Sequence, residues 1–278
     1  GTGSFANKTV GTGKAVTATG YGITGADAGN YNLSAEPSGM TADITKASLT
    51  ITGVTASNKV FDGTTSATLS GGTLNGVIGS DVVNITAGTG SFADKTVGTG
   101  KAVTATGYGI TGTDAGNYNL PSEPSGMIAD ITKASLTITG VSASNKVYDG
   151  TTTATLSGGT LNGIIGSDVV TITTGTGSFA DKTVGTTKSV TATGYGITGT
   201  NAGNYNLSAQ PSGMTANITK ASVTITGVTA SNKVYDGTAT ALLSGGTLNG
   251  VIGSDLVTIT DGTGSFANKT VGTGKAVT

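Results

Sequence analysis

The stretch Asp114-Ala115-Gly116-Asn117-Tyr118-Asn119-Leu120 decides how this 278-residue chain is read. Asp and Asn cap their own backbone in a tight turn, and Gly116 relaxes it. The alternation Tyr-Asn-Leu that follows places a ring and an aliphatic side chain on one face of an extended segment. A tyrosine delivered by such a turn covers the end of a β layer and offers its hydroxyl to a backbone group upstream. The same run recurs with Tyr31 and Tyr205 at its centre.

Around this run, alternation and turn residues predict strands over 49–56, 66–74, 82–87, 91–97, 102–110, 117–120 and 127–132. Asp62-Gly63, Gly71-Gly72, Asn75-Gly76 and Gly79-Ser80-Asp81 punctuate them, and no window carries a helical apolar period. Helix should be almost absent. Seven short strands in about 90 residues fit a two-sheet sandwich. The run at Tyr118 resembles the Asp-x-Gly-x-Tyr-x-Cys corner of immunoglobulin folds, with Leu120 where the second cysteine stands. The expected architecture is therefore all-β, as tandem Ig-like β-sandwich domains in an extended rod. The runner-up is a β-grasp, which requires a helix that the pattern does not offer.

The chain repeats itself. Phe61-Asp62-Gly63, Tyr148-Asp149-Gly150 and Tyr235-Asp236-Gly237 are 87 residues apart, as are Phe5, Phe92, Phe179 and Phe266 in their Gly-Thr-Gly-Ser-Phe runs. Residues 48–134 and 135–221 differ at only 14 positions, so each is one copy of a unit long enough for a modest core of its own. The stretches Ile44–Ser48, Ile131–Ser135 and Ile218–Ser222 read as linkers and set the phase. On that phase, 1–47 is the C-terminal part of a repeat, 48–134 and 135–221 are complete repeats, and 222–278 is the N-terminal part of another. Residues 1–17 and 262–278 are identical, which reads as a window cut from a longer array.

Composition narrows the chemistry. Gly supplies 48 positions and Thr 56, while Cys, His and Trp are absent and all 14 basic residues are Lys. Thiolate nucleophiles, imidazole acid/base groups, thiol or imidazole metal ligands and guanidinium clamps are all missing, so an enzyme is not expected. Charged residues make up 10% of the chain against a usual figure of about 25%, with 14 Lys set against 15 Asp and Glu. No basic field exists for nucleic acid. No apolar run is long enough to insert in a membrane, and no signal peptide opens the chain.

The run Lys-Val-Tyr/Phe-Asp-Gly-Thr at 59–64, 146–151 and 233–238, together with Gly-Asn-Tyr-Asn-Leu, is similar to the YDG-type repeat of large secreted bacterial adhesins related to filamentous haemagglutinin. The resemblance covers the whole chain. It implies an extracellular stalk at a bacterial cell surface, giving reach and mechanical continuity. Its partners would be neighbouring repeats, with cell-surface or matrix ligands taken by regions outside this segment. Phe61 departs from the tyrosine of the motif, so the ring is expected to pack and the hydroxyl to be dispensable. The alternative is a repeat that itself binds a glycan or matrix surface and adheres by multivalency.

Corner and turn residues are the candidate sites: Tyr31, Tyr118 and Tyr205, and the pairs Asp62-Gly63, Asp149-Gly150 and Asp236-Gly237. The aspartates admit a Ca²⁺-ligand reading, but a turn former that caps its own backbone is the simpler one. Asp114 becomes Asn201, Asp130 becomes Asn217, Glu123 becomes Gln210 and Asp94 becomes Asn268, leaving only the Asp62 and Asp81 positions acidic in every copy. A shared metal site would not lose charge so unevenly, so neither metal nor cofactor is expected. Thr-x-Thr runs such as Thr171-Ile172-Thr173 suit a wet strand face better than the flat ladder of an ice binder. The sequons at Asn7, Asn32, Asn84, Asn206, Asn217 and Asn268 do not follow the period, and Lys59, Lys95 and Lys101 read as solvated strand-edge charges.

Overall fold

A computed structural model describes residues 1–278. Strands account for nearly all its regular structure, the exceptions being single turns of 3-10 helix at Ala28–Asn30, Ala115–Asn117 and Ala202–Asn204. It divides into two compact units, one formed by Gly1–Ala134 with Gly203–Tyr205 and the other by Ser135–Ala202 with Asn206–Thr278.

In the first unit a five-stranded sheet runs in the order Lys59–Val60, Met127–Thr132, Gly98–Thr106, Thr89–Phe92, Ser66–Ala67. Its inner face follows the period-two alternation: Met127, Ala129 and Ile131 are buried, while Ile128 and Thr132 point outward. Val103, Ala105 and Phe92 continue that face. All neighbours are antiparallel except the first pair, where Lys59 lies opposite Ile131 in parallel. Thr50–Ala56 pairs antiparallel with Leu69–Asn75 and sets Ile51 against Leu74. The chain enters through Ala47–Ser48, paired in parallel with Tyr118–Asn119, and the Leu49 N–H donates to the Asn119 carbonyl at 2.8 Å.

The second unit repeats this plan with Lys146–Val147, Met214–Thr219, Gly185–Thr193, Thr176–Phe179 and Thr153–Ala154 in one sheet. Its core joins Phe179, Val190, Ala192, Met214, Ala216 and Ile218 of that sheet to Ile138 of the strand Ala134–Ala143, with Leu156, Leu161 and Ile172 packed against them. Burying an aliphatic side chain such as Ile218 completely contributes about 1.5–3 kcal/mol, and a repeat has few such positions. Each core is therefore small.

Several expectations change in detail. The strand expected at 91–97 is Thr89–Phe92, because the Asp94 carboxylate accepts the Thr96 N–H at 2.8 Å and turns the chain. The strand expected at 66–74 is interrupted at Thr68, and that at 102–110 becomes Gly98–Thr106 and Gly109–Thr111. The short strand Lys59–Val60 went unforeseen because two residues carry no readable period. The supposed linker at 131–135 is sheet: only Lys133 separates Met127–Thr132 from Ala134–Ala143, and Ile131 and Ala134 are both buried.

Candidate functional site

Each Lys-Val-Tyr/Phe-Asp-Gly-Thr box folds into the same turn. In the first copy the Asp62 Oδ1 accepts the Thr64 N–H at 2.9 Å and the Thr64 hydroxyl at 2.8 Å, while Gly63 takes a φ of 78°, a left-handed conformation that favours glycine. The turn then closes on the lysine that precedes it. Lys59 Nζ donates to Asp62 Oδ1 at 2.8 Å, to the Thr64 carbonyl at 2.9 Å and to the Ser66 carbonyl at 3.0 Å, and it sits 5.6 Å from the centre of the Phe92 ring. Lys146 with Asp149, Thr151, Thr153 and Phe179 reproduces this arrangement, as does Lys233 with Asp236, Thr238 and Phe266. Gly150 and Gly237 hold φ values of 78° and 80°. The lysine beside Asp62, Asp149 and Asp236 lowers each carboxyl to about 2.

Lys59 is thus not the solvated charge that its composition suggested. Its side chain is 17% exposed, and its hydrogen bonds and the aromatic face satisfy the ammonium locally. Lys101 departs from expectation in the same way. It bonds Asp94 Oδ1 at 2.6 Å in a second Asx turn, and Asp181 with Lys188 repeats the pair at 2.5 Å. Asn7 with Lys14 and Asn268 with Lys275 build this turn from an amide. That explains why the acid of this position is exchangeable: the turn needs an oxygen acceptor and not a charge. Lys95 is exposed, as expected.

The corner tyrosines divide by context. Tyr118 is 2% exposed, and its hydroxyl accepts the Ile78 N–H at 3.0 Å while donating to Asp81 Oδ2 at 2.8 Å. The backbone partner expected upstream is therefore Ile78, forty residues away, and the carboxylate is an addition that the corner motif did not announce. Burial raises the Tyr118 pKa, and the Lys8 ammonium, 2.5 Å from Asp81, lowers that of the carboxyl. Tyr205 is 1% exposed and its ring meets Phe61 edge-on at 5.4 Å. Tyr31, in the partial repeat 1–47, is 75% exposed.

Asn117 and Asn204, one residue before the buried tyrosines, are functional positions that the sequence reading passed over. Their side-chain oxygens accept the N–H groups of Val10 and Val97, residues of the preceding repeat, at 2.9 and 3.1 Å. The constant spacing of 107 residues, one period plus 20, is visible only once the repeats are folded. A cavity of about 430 Å³ lies in the last partial repeat among Lys233, Tyr235, Phe266, Lys275 and Val277. In the complete repeats a strand occupies the corresponding place, Met127–Thr132 lying between Lys59–Val60 and Gly98–Thr106. No group of three or more His, Cys, Asp or Glu side chains gathers in metal-binding geometry, and no helix is long and apolar enough to cross a membrane.

A family model for the YDG domain matches residues 1–39, 45–126, 132–213 and 219–278. The chain belongs to the YDG domain family. Two of these matches are complete repeats and two are partial, and together they leave only short gaps. Neither a curated protein nor a solved structure matches the chain. The Asp-Gly of each Tyr/Phe-Asp-Gly triplet in the YDG repeats coincides with a lysine-closed turn.

Proposed function

We propose that this tandem YDG array is a stalk segment of a secreted bacterial surface adhesin, built of Ig-like sandwiches and supplying reach and not chemistry. The observation that carries this reading is the use made of the invariant polar residues. Lys59, Asp62 and Thr64 are spent on one another, and Asp81, Asn117 and Tyr118 hold the corner and the preceding repeat. A ligand site would leave some of its recurring polar groups without partners inside the protein, free to meet a ligand. The Tyr118 corner supports the Ig-like assignment, and the single residue between successive strands at Lys133 supports mechanical continuity.

The experiment is a deletion. Removing residues 48–134 joins identical phase to identical phase, and small-angle scattering should show the maximum dimension falling by one repeat, on the order of 35–45 Å for strands of about ten residues with their loops. A fall scaling as for a compact globule would refute the stalk. Specific binding of the 278-residue chain on glycan or matrix arrays would favour the adhesive-repeat alternative.

A further inference from the structure

Within the box, lysine, aspartate and threonine bond one another, but the aromatic residue takes no part in that network. Its surroundings differ from copy to copy: Phe61 is 2% exposed, Tyr148 is half-buried and Tyr235 is 59% exposed. The difference follows what lies beyond the ring. In the first unit Phe61 packs edge-on against Tyr205, the corner tyrosine of the following repeat. In the second unit the Tyr148 hydroxyl donates to Asp255 Oδ2 at 2.7 Å, and a Cβ on Gly150 would lie 3.2 Å from Ile252 Cγ2. Ile252 and Asp255 belong to the Ile-Gly-Ser-Asp loop of the following repeat, the counterpart of Ile78–Asp81.

A third instance shows the receiving side by itself. In the first unit Ile78, Asp81 and Tyr118 line a cavity of about 390 Å³ together with Ile44, Thr45 and Lys8. Ile44 and Thr45 are the counterparts of Ile131 and Thr132, which carry the Lys59–Val60 strand in parallel and accept the Phe61 N–H at the Thr132 carbonyl, 2.8 Å away. The place in which an aromatic residue of a preceding box would sit, judged by the position of Phe61 beside Thr132, is therefore this cavity.

We propose that the aromatic residue of each YDG box is a plug received by the next repeat, with the Ile-Gly-Ser-Asp loop and the corner tyrosine forming the socket and the loop carboxylate accepting the hydroxyl where the ring is a tyrosine. The partner of this surface is another YDG repeat, and its recognition chemistry is an edge-on ring contact plus a phenol-to-carboxylate hydrogen bond. This gives the loop acid, which at Asp81 is held by Tyr118 and Lys8, a second role at Asp255. It also gives Tyr-Asp-Gly two separable tasks, since Asp and Gly make the turn that aims the ring. Because it concerns recognition between repeats, the inference holds whether or not the array is an adhesin stalk.

The test is a double-mutant cycle in the full chain, read by hydrogen exchange over residues 250–257. Tyr148→Phe and Asp255→Ala should each raise exchange there by about tenfold or more, as for loss of one charge-assisted hydrogen bond, and the double variant should exceed neither single by much. Tyr235→Phe is the control and should change nothing. Multiplicative effects of the two singles, unaltered exchange at 250–257, or an equal response to Tyr235→Phe would each overturn the socket. If Asp255→Ala unfolds the last partial repeat, exchange at 224–249 rises as well. Tyr148→Phe then decides alone: a rise confined to 250–257 sustains the plug, and no rise there refutes it.

Discussion

Replacing Tyr118 by Phe isolates the hydroxyl of the corner and leaves its ring in place. Two bonds disappear: the Ile78 N–H loses its acceptor at 3.0 Å, and Asp81 loses a donor at 2.8 Å. An ordinary hydrogen bond is worth about 0.5–1.5 kcal/mol, and one to a charged group about 1.5–3 kcal/mol. The two losses share one oxygen and are not additive, and Asp81 keeps Lys8, so about 2–4 kcal/mol is expected for the first unit. The chain supplies its own control, because Tyr31 occupies the same motif position but is 75% exposed. Tyr31→Phe should stay within about 0.5 kcal/mol of the wild type. Urea denaturation followed by hydrogen-exchange mass spectrometry reads the first unit separately, and with a slope of about 1–3 kcal/mol/M the Tyr118→Phe midpoint should fall by about 1 M or more. Equal midpoints for the two variants would show that the hydroxyl carries no stability and would refute the corner.

Other outcomes follow from the same geometry. Thr187 holds a φ of 53° where the first repeat has Gly100 at 58°, so Thr187→Gly should stabilise the second unit by about 1 kcal/mol, and a lower thermal midpoint would contradict this strain. The carboxyls of Asp62, Asp149 and Asp236 are depressed to about 2, against about 3.9 in an unfolded chain. Their contribution is therefore complete above pH about 4 and is lost as the pH falls toward 2. Thermal midpoints over that interval should decline, and Asp149→Asn should flatten the decline of the second unit. Chelator should leave the midpoints unchanged, since Asp62 is committed to Lys59 and Thr64, and Asp81 to Tyr118 and Lys8; a drop reversed by Ca²⁺ would reinstate these aspartates as ligands.

Period and alternation made the all-β class, the 87-residue repeat and the near absence of helix legible, because Met127-x-Ala129-x-Ile131 and its like can bury one face only as strands. Turn chemistry reads Asp62-Gly63 as a turn, and there the Asp62 carboxylate accepts the Thr64 N–H. Less visible was the company these residues keep. Lys59 looked like an ordinary surface charge because nothing in a linear pattern says that two carbonyls and the Phe92 ring will surround its ammonium. Asp81 looked like one more turn residue, since its partners Tyr118 and Lys8 lie 37 and 73 positions away. The Ile131–Ser135 stretch reads as a linker because Thr132 and Lys133 are polar, but only Lys133 separates the two strands there and Ile131 and Ala134 are both buried.

The parallel pairings at the entrance of the repeat have a consequence for a chain under load. Ala47–Ser48 lies beside Tyr118–Asn119, and Lys59–Val60 beside Met127–Thr132, so early and late segments of one repeat run side by side in the same direction. Tension applied through the two ends drags the early strand backward and the late strand forward along their common axis. The hydrogen bonds between them are then sheared together and do not open one after another as in a peeled hairpin. Pulling on the two ends of a repeat therefore loads these short parallel seams in shear.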